Sequence, residues 1–209
     1  MEIKSKLNKP YTNKQRTDFI VEQNHRQCYE IKETSTALEA WGYTEEELQQ
    51  QRKEQIAKLS MTKREMFLGL YQAKQITPDM LKAKITDPQA LIEFEYANDY
   101  YRGNILIDQV GAQLGITPKQ LDKFFETKDY HYLTTCKLTI NHTPAEATVV
   151  INSEIVNEVT VPYGSVVDYV VSCDGYESKA NVFEITKDEF LEVALDEDTT
   201  DTTESDVSI

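Results

Sequence analysis

The hydrophobic period of this chain changes from 3.6 to 2 just after Phe124-Phe125, and that change constrains its fold more than any other feature. Beyond it, Leu138/Ile140, Val149/Ile151, Val159/Val161, Val167/Tyr169/Val171/Cys173 and Leu191/Val193/Leu195 occupy alternate positions, so each set lines one face of a strand. Thr143-Pro144-Ala145, Asn152-Ser153-Glu154, Pro162-Tyr163-Gly164-Ser165 and Asp174-Gly175-Tyr176 supply turn chemistry between them. Strands recurring at roughly ten-residue intervals predict a small antiparallel sandwich of about six strands over residues 136–195.

Before the change, one helix-start signal recurs. Tyr43-Thr44 to Leu48, Ile76-Thr77-Pro78 to Leu81 and Ile116-Thr117-Pro118 to Leu121 each place a threonine where its hydroxyl can accept from free first-turn N–H groups. Pro78 and Pro118 sit where a missing N–H costs nothing, and Glu47 and Gln120 can close capping boxes. Met61-Thr62 to Met66 and Tyr11-Thr12 to Gln15 repeat the logic. The spacings are too uneven for a solenoid. The expected helices are 13–26, 35–41, 45–59, 63–74, 78–85, 88–101, 104–114 and 118–126. Residues 45–59 are polar nearly all round and predict an exposed strut or oligomer contact. Residues 88–101 are apolar round most of the circumference and predict the centre of the helical core, with Gly103 as C-cap. The predicted class is therefore α+β. An extended arm (1–10) precedes an N-terminal bundle of short helices (11–130), a separate sandwich (136–195) and a disordered acidic tail (196–209), with the boundary at Lys128–Thr135.

Charge divides along the same line. Residues 1–135 hold 19 Lys/Arg against 20 Asp/Glu, residues 136–195 hold 3 against 10, and the last fourteen hold 0 against 6. Nearly all of the net charge of −14 thus lies beyond the helical part, which argues against a nucleic-acid partner for that half. No apolar run is long enough to span a bilayer, and the first residues lack a signal-peptide core, so no membrane is expected and the chain is expected to start in the cytosol. Cys28, Cys136 and Cys173 form neither a disulfide framework nor a zinc motif and read as small buried hydrophobes.

Catalytic and cofactor motifs are missing from the sequence. His25, His131 and His142 stand apart from one another and from local Cys/Asp clusters, and no phosphate loop, dinucleotide fingerprint or nucleophile elbow occurs. Glu93 and Glu95 point to different sides of one helix. The expectation is no enzyme, no cofactor and no metal. Gly111-Ala-Gln-Leu-Gly115 followed by Leu121 has the spacing of a helix-turn-helix, which keeps a DNA-binding regulator as a distant alternative. Its second helix, however, would expose Lys119, Gln120, Asp122, Lys123 and Glu126, a face with no basic excess. Tyr163 and Tyr176 are the candidate recognition residues, since aromatics beside turns can form a flat contact patch for protein or carbohydrate; packing over the sandwich end is the competing role.

Two resemblances add context. Pro144-Ala145, Val149-Val150-Ile151-Asn152, Tyr163-Gly164 and Asp174-Gly175-Tyr176 follow, in order, the pattern of PEGA-type and related immunoglobulin-like bacterial surface modules, with Ser153 where that pattern has glycine. Lys9-Pro10-Tyr11-Thr12, Asp18-Phe19-Ile20, Leu59 to Arg64, Tyr71 to Lys74 and Tyr101-Arg102-Gly103-Asn104 resemble small proteins of the tail-fibre or baseplate region of tailed phages and prophages, with Ile105 where proline usually follows. The second resemblance implies a non-catalytic virion protein, found in the host cytoplasm during assembly. Its helical domain would dock on another phage structural protein, and its β-domain would project as an adhesion or decoration module towards a host-surface glycan or protein. It could form a homo-oligomer. The alternative is a non-virion tail assembly chaperone whose acidic half masks a basic partner.

Overall fold

The computed structural model describes residues 1–26 and 30–198. The class is α+β, and the chain divides into two compact units, residues 1–59 and the residues from Ser60 onward.

In the first unit β1 (Glu2–Asn8), α1 (Asn13–His25), β2 (Glu30–Glu33), β3 (Ala37–Gly42) and α2 (Glu45–Ala57) follow in order. The three strands form an antiparallel sheet in the order β1-β3-β2. Two expectations are corrected here. The arm expected over residues 1–10 is largely a sheet strand, and the helix expected over 35–41 is the central strand of that sheet. The cause is non-local: Leu7 pairs with Leu38 and Lys6 with Glu39 across the β1–β3 ladder, and no local pattern carries that pairing. Ala37, Leu38 and Ala40 are essentially buried, and Phe19 of α1 packs on Leu38 and Ala40. In α2 no side chain is buried, as its composition implied.

The second unit opens with β4 (Ser60–Thr62), α3 (Lys63–Lys74), α4 (Pro78–Lys82), α5 (Pro88–Tyr96), β5 (Asp99–Tyr101), α6 (Ile105–Gln113) and α7 (Pro118–Thr127). Every expected threonine cap forms: Thr12, Thr44, Thr62, Thr77 and Thr117 each accept from a first-turn N–H, and all but Thr77 close a capping box. The core of this segment is α7 against α3, where Leu121, Phe124 and Phe125 are buried and Gly69 lets the Phe124 ring approach. It is not residues 88–101. That segment is helical only to Tyr96, Ala97 turns extended, and Asp99–Tyr101 pairs with β4, so Gly103 caps nothing there. Of the α5 side chains only Ala90 is buried.

After α7, a 3-10 turn (Tyr130–Leu133) packs against α3 and α7, with Leu133 fully buried. Residues 128–135 thus lie within the second unit. The strands that follow are β6 (Thr135–Thr143), β7 (Thr148–Ile151), β8 (Glu154–Ile155), β9 (Glu158–Pro162), β10 (Ser165–Ser172), β11 (Lys179–Ile185) and β12 (Glu189–Ala194). They form two sheets, β11-β10-β7-β8 and β12-β6-β9, which contribute to one buried cluster that includes Leu138, Ile140, Val149, Ile151, Val167, Val171 and Ile185. The expected all-antiparallel arrangement needs one correction: β12 runs parallel to β6. The chain passes back and forth between the sheets, so its first and last strands are joined by a crossover and not by a hairpin. Of the residues expected to be a disordered tail, Glu197 bridges to Tyr176. Residues 199–209, like Cys28, lie outside the described residues.

Candidate functional site

The helices of the second unit leave an apolar cavity of about 380 Å³ open between α3, α5, α6 and the start of α7. Its formation follows from short, separately capped helices, because α4, α5 and α6 each end before a continuous ridge can fill the space they enclose. One wall is an aromatic group in which Phe67, Phe94 and Tyr100 lie 5.5 to 6.3 Å apart, centroid to centroid. Lys63 Nζ sits 5.8 Å from the Phe67 and Phe94 centroids and donates to the Glu95 carbonyl, which holds the α3 N-terminus to the end of α5. Tyr100 donates to the Phe94 carbonyl at 2.9 Å, and burial pushes its phenol up to about 12. The opposite wall is α6 on α7, packed closely because Gly111 has no Cβ to meet Leu121. At the mouth Ile92, Tyr96 and Tyr101 are 60%, 77% and 57% exposed.

Beneath this wall Arg102 is buried and fixes α6 and α7 together. Its Nε donates to Asp122 at 2.6 Å, and a terminal nitrogen lies 2.9 Å from Asp108 Oδ1 and 3.3 Å from the Pro118 carbonyl. The Asp108 contact is an ion pair off the hydrogen-bonding line. Among the described residues, the polar ones in the lining are Glu93, Asp99, Asn104 and the tyrosines 96, 100 and 101. The arrangement can take up apolar side chains or rings.

The helix-turn-helix spacing folds as a corner. Gly115 takes φ +66°, the Ile116 N–H returns to the Gly111 carbonyl, and Leu121 packs on Gly111. Part of its expected reading face is engaged, while Lys119 and Glu126 are exposed. Gln120, expected to be exposed, is buried and donates to the Thr134 carbonyl, Asp122 is held by Arg102, and Lys123 pairs with Glu126.

Tyr163 and Tyr176 are not brought together. Tyr163 precedes β10 and Tyr176 follows it, so the eight residues of that strand separate them by roughly 23 Å along its length. Tyr163 is half-buried, meeting Tyr132 edge-on at 5.3 Å and His131 at 5.4 Å, and its N–H binds the Thr134 carbonyl. It joins the 3-10 turn to the β9–β10 corner. His131 in turn stacks on Tyr130 at 4.1 Å and lies 2.6 Å from Asp129, whose carboxyl is held low mainly by the His131 backbone N–H. Tyr176 packs on the buried cluster shared by the two β-sheets. His142 Nδ1 is 2.9 Å from the Pro144 carbonyl, at the edge of a polar hollow of about 640 Å³ beside β12 and β6. Among the described residues no group of three His, Cys, Asp or Glu is placed to hold a metal, and no helix is long and apolar enough to cross a membrane.

The cavity residues escaped the sequence reading because apolar cover round residues 88–101 marks a core helix and a cavity-lining helix alike. No known family, characterised protein or solved structure matches the chain.

Proposed function

We propose that this chain is a non-catalytic structural or accessory protein of a tailed phage, docking on a virion component through the helical segment of its second unit and presenting the β-sheets as a projecting module. The observation that carries the docking is the apolar cavity with Ile92, Tyr96 and Tyr101 exposed at its mouth. Such a hollow suits insertion of apolar side chains from a protein partner, with aromatic residues as anchors. The acidic sheets suit a solvated, outward position. We read these sheets as a PEGA-type, immunoglobulin-like module. The two-sheet core, the Asn152-Ser153 hairpin and the Asp174-Gly175-Tyr176 corner support that reading.

Mass spectrometry of purified particles tests the placement: the chain is expected among virion proteins, and Tyr96→Glu is expected to abolish its incorporation without loss of folding. Absence from particles overturns the virion reading. Absence combined with a salt-sensitive complex in lysates selects the assembly-chaperone reading, which the concentration of negative charge beyond residue 135 favours.

A further inference from the structure

Among the described residues, the four-stranded sheet β11-β10-β7-β8 has an outer face with exposed aliphatic side chains. Its inner face is buried through Val149, Ile151, Val167 and Val171, so the pleat turns the intervening residues outward. The ladder register aligns Ala180, Val170, Val150 and Ile155 in one row across all four strands. The next rows on β10 and β11 pair Asp168 with Val182 and Val166 with Glu184. Val166, Val182 and Ile155 are 67%, 64% and 77% exposed. This is a branched aliphatic face where a solvated sheet would carry polar residues.

Two further features say what fits it. First, β11 is an edge strand of seven residues without proline or bulge, and no strand pairs with its outer side among the described residues. Such an edge is a template for another strand. Second, the charged residues in these rows are Asp168 and Glu184, both carboxylates, and neither has an ion-pair partner among the described residues. A second copy of the chain would bring like charges together. The chain's own last residues, 199–209, carry Asp201, Glu204 and Asp206 and no cation, so charge argues against that segment too. An aliphatic face also lacks the aromatic platform that a sugar ring stacks on.

We propose that β11 and the outer face beside it bind an extended segment of another protein, added as a fifth strand, whose every second residue, the set turned to the outer face, includes both apolar and basic side chains. Backbone pairing along β11 supplies affinity, the valine rows take the apolar side chains, and Asp168 and Glu184 select lysine or arginine. The proposal rests on reading the sheets as a presentation module, and it moves the recognition surface away from Tyr163 and Tyr176.

The test titrates the full-length, isotope-labelled protein with an acetylated, amidated seven-residue peptide, the length of β11, in which valine and lysine take turns at every second position and threonine fills the positions between, so that one face of the strand carries both. The expected result is a set of amide shifts confined to residues 165–172 and 179–185, weakening as salt is raised. A peptide with glutamate in place of lysine is expected not to bind, nor is a lysine peptide methylated on alternate backbone nitrogens. The isosteric double variant Asp168→Asn, Glu184→Gln is expected to weaken the lysine peptide by about five- to tenfold, the size of two exposed charge contacts. No binding by the lysine peptide, equal binding by the glutamate peptide, retention by the methylated peptide or shifts on the other sheet overturns the proposal. The methylated peptide leaves the protein untouched, so its result stands even if a variant misfolds. None of these readouts involves particles, so failure here leaves docking through the cavity standing, and absence from virions leaves the strand site standing.

Discussion

At the residue scale, the clearest consequence of local chemistry is the β7–β8 hairpin. Asn152 and Ser153 both take positive φ, 48° and 70°, as a two-residue turn of this hand demands. Asn tolerates that region and serine does not, so Ser153 holds backbone strain where related modules have glycine. Ser153→Gly is expected to stabilise the protein by about 0.5–1 kcal/mol in denaturant titration, the relief of strain outweighing the added freedom of the unfolded chain. A second residue-scale outcome concerns Glu65. Lys128, at 2.9 Å, together with the Thr62 N–H and hydroxyl, holds its carboxyl at about 2 against an ordinary 4.5. A folded-state value below the unfolded one means that the stabilisation is present above pH 4.5 and is lost as pH falls from there through 2. An NMR titration is expected to place the Glu65 midpoint near 2, and Lys128→Ala to move it upward.

At the element scale, α3, α6 and α7 are held by two glycine contacts of different stiffness. A Cβ at Gly69 would lie 2.3 Å from Cζ of Phe124, a ring that is 1% exposed and has nowhere to turn. A Cβ at Gly111 would lie 2.7 Å from a Leu121 methyl that borders the cavity. Gly69→Ala is therefore expected to cost about 2–3 kcal/mol by thermal or chemical unfolding, and Gly111→Ala distinctly less, because overpacking costs most where the neighbour cannot yield. Leu106→Phe, which adds bulk inside the cavity, is expected to leave stability unchanged or raised while blocking incorporation into particles. A docking surface elsewhere on the helices would leave incorporation intact.

At the scale of the whole molecule, the two units carry cores of unequal size. Among the described residues, those of 1–59 form a buried cluster of Phe19, Leu38 and Ala40 with a few half-buried neighbours, whereas the β-region buries eleven in one cluster. A smaller core supports less stability. Amide hydrogen exchange is expected to be faster across β1–β3 than across β6, β7 and β10; uniform protection would show that the units open together.

By itself, the sequence determined the elements whose signals are local. The five threonine caps, the exposed α2, the strands β6, β7, β9, β10 and β12 and the turns read between them are written in residues no more than a few positions apart, whereas β8 and β11 carried no alternation that the sequence reading picked out. Tertiary structure decided whatever depends on distant partners. The segment around Leu38 is a strand because residues 2–8 pair with it, and β12 is parallel to β6 because the chain crosses between sheets to reach it. Residues 88–101 line a cavity because the neighbouring helices are too short to fill it. Alternation picked Val149, Val167 and Val171 as one strand face, and these are the valines buried in the core; that Val150 and Val170 line up in one row across neighbouring strands was set by strand pairing alone.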